Sequence, residues 1–283
     1  MFRVARLTFK EATKKRILIA ALILTVGFLA LYATGAHFAL RDLKRNISTF
    51  PGGDGGAMFT LASAGFLTLG LFVANLVGAL LASFLAVGAI SSEVEQGTLQ
   101  SIAVRPLPRR DIILGKWLGY TIIILLYMAI LFGALVLVIY SQSGWYPPKF
   151  LKAGVVLILE TIVVLSVALL GSTFLNAAAN GIVVFMLYAT ALIGGSIEQF
   201  GTILGKKILY DIGIVSSLIM PSDNLYRFSV SLVTPKISSQ ISMAQMGPFG
   251  SSATPSLWSL AYAFLFIAAA LLIAVRIFSK KDL

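Results

Sequence analysis

Long apolar runs alternate with short polar clusters along this chain, and the runs exceed what a helix of a water-soluble core requires. A helix crossing roughly 30 Å of hydrocarbon needs about 20 mostly apolar residues, because every backbone N–H and C=O must be satisfied within it. Six segments meet that length: Ile17 to about His37, Met58 to Ile90, Trp117 to Tyr140, Leu151 to about Asn176, Gly181 to about Ile197, and Ser256 to about Phe278. The second is long enough to project past a bilayer, and the fifth is the shortest. Thr254-Pro255 supplies an N-cap and a first-turn proline for the last span, and Pro147-Pro148 with Lys149 opens the fourth in a similar way. The small-residue break from Asn176 to Gly181 makes the fourth and fifth spans a hairpin. The pattern predicts an all-α, polytopic membrane protein with six transmembrane helices in a single domain over 1–283.

The connections carry their own patterns. Ahead of the first span, Phe2, Ala5, Phe9 and Ala12 share one helical face, with Arg3, Arg6, Lys10 and Lys14 on a neighbouring one. This predicts an interfacial helix over 1–16, lying among anionic headgroups. A basic start before an apolar run is also the layout of a signal peptide, but the run is long for one and no A-x-A site follows, which favours an uncleaved anchor. The segment 198–255 is a long external loop. Within it, Ile203 to Met220 is apolar but interrupted by Lys206, Lys207 and Asp211, which predicts a water-facing or re-entrant amphipathic helix and not a seventh span. Ile237 to Ser252, rich in Ser, Gly, Gln and Met, reads as a mobile loop.

Composition supports the membrane reading. Of 283 residues, 58% are hydrophobic and only 12% charged, about half the charge of an ordinary soluble chain. The net charge of +11 does not point to nucleic acid, because the basic residues flank apolar runs and build no patch interleaved with aromatics. They set topology instead: with the N-terminus inside, Arg3, Arg6, Lys10, Lys14, Lys15, Arg16, Arg105, Arg109, Arg110, Lys116, Arg276, Lys280 and Lys281 are cytoplasmic. Lys149 and Lys152 are exceptions, sitting in a short external connection. Both termini are expected in the cytoplasm, at a cell membrane. Cysteine is absent and His37 is the lone histidine, so neither thiolate nor histidine-rich metal chemistry fits.

The connection between spans two and three, Ile90 to Trp117, has a chemistry unlike its surroundings. Ser92 and Glu95 have the spacing of a capping box, Gly97-Thr98 permits a turn and a fresh start, and Arg105-Pro106-Leu107-Pro108 stops the element because proline donates no helix hydrogen bond. Asp111 falls in the first turn of the next helix. The expected product is a compact helix-turn-helix over 91–116 that leaves the membrane, presents charge and returns. A solvated loop whose arginines merely set topology remains the alternative.

Here the chain resembles a known family. Glu93-x-Glu95-x-Gly97-Thr98-Leu99, then Arg105-Pro106-x-Pro108-Arg109, then Ile113-Leu114-Gly115-Lys116, is similar to the E-x-G-T, R-P-x-x-R and G-K elements of ABC type-2 exporter permeases. The six-span layout fits as well, so the resemblance covers essentially the whole chain. It implies that 91–116 is a cytoplasmic coupling loop, with Glu93, Glu95, Gly97, Thr98, Arg105, Pro106, Arg109 and Lys116 engaging an ATPase subunit. It also implies two copies of that ATPase, carrying ATP and Mg, beneath a homodimer of this chain surrounded by membrane lipid, and export as the direction. Ser217 to Arg227, SLIMPSDNLYR, resembles the branch that serves multicopper-enzyme maturation, including that of nitrous-oxide reductase.

The chain holds no nucleotide site of its own. Gly115-Lys116 and Gly205-Lys206 lack both the first glycine and the hydroxyl residue of G-x-x-x-x-G-K-[ST]. An intramembrane enzyme would need juxtaposed acid, base or nucleophile groups, and His37 has no evident partner. A secondary transporter would show interrupted helices or several membrane-embedded charges. Glu160 is the one acid well inside a predicted span; a role in translocation, pairing with an external lysine, and burial as a neutral acid at a helix contact are all open. Asn75 is a second polar candidate for the pathway, although it and Gly65, Gly70 and Gly78 also suit close helix packing.

Overall fold

The computed structural model describes residues 1–47, 55–92, 108–235 and 257–280. Every regular element among them is helical: α1 (Phe2–Thr13), α2 (Arg16–Ile47), α3 (Gly55–Ala86), α4 (Arg109–Ser143), α5 (Phe150–Gly171), α6 (Ala177–Leu204), α7 (Lys207–Ile219), α8 (Ser222–Val233) and α9 (Leu257–Ser279). Six of these, α2 to α6 and α9, are long and apolar enough to cross a membrane, as the hydrophobic runs predict. α2, α4 and α6 extend beyond the expected bounds, whereas α3 ends at Ala86 and α5 at Gly171, short of the expected Ile90 and Asn176. The Thr254-Pro255 cap and the 237–252 loop lie outside the described residues.

The spans are not equivalent. α5 occupies the centre, packed against α3, α4, α6, α8 and α9. In its most apolar stretch 67% of residues are buried, against 11% for α2, which runs along the outside of α3 and α4. The side chains α2 turns outward, such as Ile23, Leu24 and Val26, are exposed and apolar, as suits a surface solvated by hydrocarbon. Asn176 caps α6, its side chain accepting from the Ala179 N–H at 2.8 Å, so the small-residue break is a turn between helices.

α1 lies across the start of α4. Gly115 and Gly119, one turn apart, let it approach closely: a Cβ on Gly115 would stand 2.6 Å from the Val4 Cβ, and one on Gly119 would stand 2.8 Å from the Ala5 carbonyl oxygen. The buried face is therefore Ala5, Thr8 and Ala12, while Phe2 faces outward at 82% exposure. The expected apolar face is thus divided. Its small residues meet protein, and its leading aromatic is left for the surroundings.

After α6 the chain turns at Gly205, which adopts φ 64° in the left-handed region that glycine favours, and folds back. α7 runs antiparallel along the second half of α6, with Gly201 against Leu209, Gly213 against Glu198, and Gly194 against Ser216. The Ser216 hydroxyl donates to the Thr190 carbonyl at 3.0 Å. Thr190 lies roughly 20 Å of helix before the end of α6, at about 1.5 Å per residue. The chain reverses again at Met220-Pro221, both buried, and α8 climbs back along α5, where Ser229 donates to the Ala153 carbonyl at 2.9 Å. The amphipathic helix expected over 203–220 is thus the descending arm of a re-entrant hairpin. A break in helical backbone at this depth is tolerated because protein covers it.

Candidate functional site

Two polar clusters stand out, one at mid-bundle and one at the end that carries α1 and the end of α9. The first forms where α3, α5, α6 and the foot of α8 converge. Glu160 on α5 is fully buried. With the Asn75 amide turned so that its nitrogen faces the carboxylate, Asn75 on α3 donates to Glu160 Oε2 at 2.8 Å and accepts from the Tyr188 hydroxyl of α6 at 3.0 Å. The Thr161 hydroxyl donates to the same carboxylate oxygen at 3.2 Å. The structure therefore joins the two pathway candidates read separately from the sequence. The partners of Glu160 among the described residues are neutral, and no lysine is among them. Gly78, one turn from Asn75, gives the room: a Cβ there would stand 3.0 Å from Thr161 Oγ1. Gly70 faces the Tyr32 ring in the same manner, whereas Gly65 faces open space.

Next to this cluster, Asp223 and Arg227 pair along α8 at i and i+4, Nε to Oδ2, 2.5 Å. Arg227 Nη1 also donates to Gln199 Oε1 on α6 at 2.5 Å. All three side chains are buried. A charge so far from water persists only when paired and hydrogen-bonded, and a Cβ on Gly195 would overlap the Asp223 carboxylate. The pair forms one wall of a cavity of about 270 Å³ lined further by Phe72, Leu192, Ile193, Ser196, Phe200 and Tyr226. Phe72 and Tyr226 meet edge to face, their ring centroids 6.0 Å apart. Glu160 and Asn75 lie behind this wall and do not line the cavity. Sequence reasoning missed Asp223, Arg227, Gln199 and Tyr188. The one available signal was the Asp-x-x-x-Arg spacing immediately after Met220-Pro221.

The second cluster stands at the roots of the segment 93–107. Glu93, Glu95, Gly97, Thr98, Arg105 and Pro106 lie outside the described residues. Arg109 and Lys116 are both turned into the bundle. Arg109 Nη1 donates to the carbonyls of Phe278 at 3.3 Å and Ser279 at 2.9 Å, satisfying acceptors that the end of α9 leaves open. Lys116 is buried, and its Nζ donates to the Ala89 carbonyl just past α3 at 2.6 Å. Trp117 Nε1 donates to Ser166 Oγ of α5 at 2.9 Å. Ser92 donates back to the Gly88 carbonyl, while its expected capping partner Glu95 is not described. No group of three or more His, Asp or Glu side chains that could hold a metal occurs among the described residues.

Six apolar spans, a re-entrant hairpin that carries charge to mid-bundle, and a bundle end on which three helices are stapled together are the architecture of a polytopic membrane protein. The chain belongs to the ABC-2 family of transporter proteins, whose family model matches residues 3–283. Members of this family are membrane subunits without ATPase activity. No curated protein matches the sequence.

Proposed function

We propose that this chain is the permease subunit of an ATP-driven exporter, in which two copies enclose the pathway and a pair of separate ATPase subunits, carrying ATP and Mg, drives it. The ATPases dock at the end of the bundle that holds α1, the roots of 93–107 and the end of α9, which makes that end and both termini cytoplasmic. The observation that carries this reading is the stapling of both roots: Lys116 ties the start of α4 to the end of α3, and Arg109 ties it to the end of α9. A push on 93–107 is thereby delivered to three spans at once. The pathway runs along the outer faces of α3 and α6, where the cavity walled by Asp223 and Arg227 opens. The resemblance of Ser217–Arg227 supports a kinship with the permeases of multicopper-enzyme maturation.

A secondary transporter is the second reading, and one observation favours it. The interrupted helices and embedded charges expected of that class are present in α7, α8 and Glu160. ATP dependence separates the two. With the ATPase co-expressed, Gly97→Val is expected to leave membrane insertion intact and to abolish pull-down of the ATPase or substrate-stimulated ATP hydrolysis in liposomes. Normal assembly and coupled turnover in that variant, or uptake that needs no ATP, would defeat the coupling proposal.

A further inference from the structure

Lys149 and Lys152 break the charge pattern of the chain and find no acid among the described residues. Both are exposed, and both line an apolar groove of about 540 Å³ between the first turns of α5, the outer half of α8 and the start of α9. Leu151, Val155, Phe228, Leu232 and Leu260 supply its walls, and no carboxylate lines it. The volume falls within the range of about 300–1,000 Å³ typical of ligand sites.

The surroundings place the groove at a membrane boundary. Tyr140, Tyr146 and Phe150 form a chain of edge-to-face contacts with centroids 6.1 and 4.9 Å apart, and both tyrosines are half exposed. Such half-exposed tyrosines belong at headgroup level. The lysines stand at that level, beside Phe150, and the groove leads from them toward the hydrocarbon. Apolar walls exclude a soluble anion as the main occupant, and two unpaired ammonium groups favour an anionic over a zwitterionic headgroup. We propose that the groove holds an acyl chain of an anionic phospholipid whose phosphate is bound by Lys149 and Lys152. The lipid covers the seam between the re-entrant hairpin and the last span, and so fills space that the described residues leave open.

The test is lipid retention by the purified full chain, measured by native mass spectrometry while detergent-solubilised phosphatidylglycerol and phosphatidylcholine of the same acyl chains are titrated in. The wild type is expected to retain phosphatidylglycerol in preference. Replacing Lys149→Gln and Lys152→Gln together is expected to reduce that preference roughly 30-fold, from about fivefold per lysine at a membrane surface. Val155→Trp, which fills the groove from its exposed side, should release both lipids. The control pair Lys206→Gln and Lys207→Gln, exposed lysines away from the groove, should change nothing. Absence of a preference in the wild type, its survival in the double variant, or its equal loss in the control pair would each overturn the proposal.

Discussion

At the end of the bundle that carries α1 and the end of α9, Arg109 and Lys116 meet backbone carbonyls beside the ends of helices; at mid-bundle, charged side chains meet one another and neutral amides and hydroxyls. Arg109 answers the two carbonyls that the end of α9 leaves open and Lys116 answers one in the turn past α3, so losing either strands backbone acceptors but no other side chain of the cluster. Asp223, Arg227 and Gln199 form one linked set and Asn75, Glu160 and Tyr188 another beside it, all wholly or largely removed from solvent, so losing one strands its neighbours too. The first arrangement suits a platform that must hold its shape under load. The second suits a point where a small displacement of one helix breaks several bonds together. The re-entrant hairpin is held to α6 through close glycine contacts and to α5 through α8.

The sharpest way to break this comparison is at the ion pair. Arg227→Met leaves Asp223 buried and uncompensated, and should cost about 3–5 kcal/mol of stability, read as a large fall in melting temperature in detergent. Combining it with Asp223→Asn should recover much of the loss, because the stranded charge is then gone. Strictly additive losses would show that the two residues do not act as a unit.

Gly119→Val tests the platform. Its new side chain meets the Ala5 carbonyl and Thr8, so α1 must lift away, at about 1–3 kcal/mol. Trypsin should then cut at Arg3, Arg6 or Lys10 well before it reaches the rest of the chain. Unchanged cleavage would mean that α1 is not seated by these glycines.

The smallest expected effect on stability belongs to Glu160→Gln. Glutamine keeps an acceptor for Asn75 and Thr161, so the melting temperature should move by less than the equivalent of about 1 kcal/mol. ATPase pull-down should be unchanged, whatever happens to transport. A loss of assembly would mean that the mid-bundle cluster reaches the far end of the molecule, and the two regions would have to be treated as one.

The sequence by itself determined the number of spans, the breaks between them and the presence of an unusual connection after the second. Each of these depends on local chemistry: apolar length against bilayer thickness, proline and glycine at helix ends, and a charge cluster in an otherwise apolar chain. It also singled out Glu160 and Asn75, since a polar group in an apolar run needs a partner. It could not say that each was the other's partner, because their meeting depends on the rotation of α3 against α5. The three-dimensional arrangement alone decided that Lys116 and Arg109 point into the bundle, that Gly115 and Gly119 seat α1, and that Asp223 and Arg227 lie deep in it. In each case the residue's role is set by which helix packs against it, and one apolar helix face reads much like another until its neighbour is known.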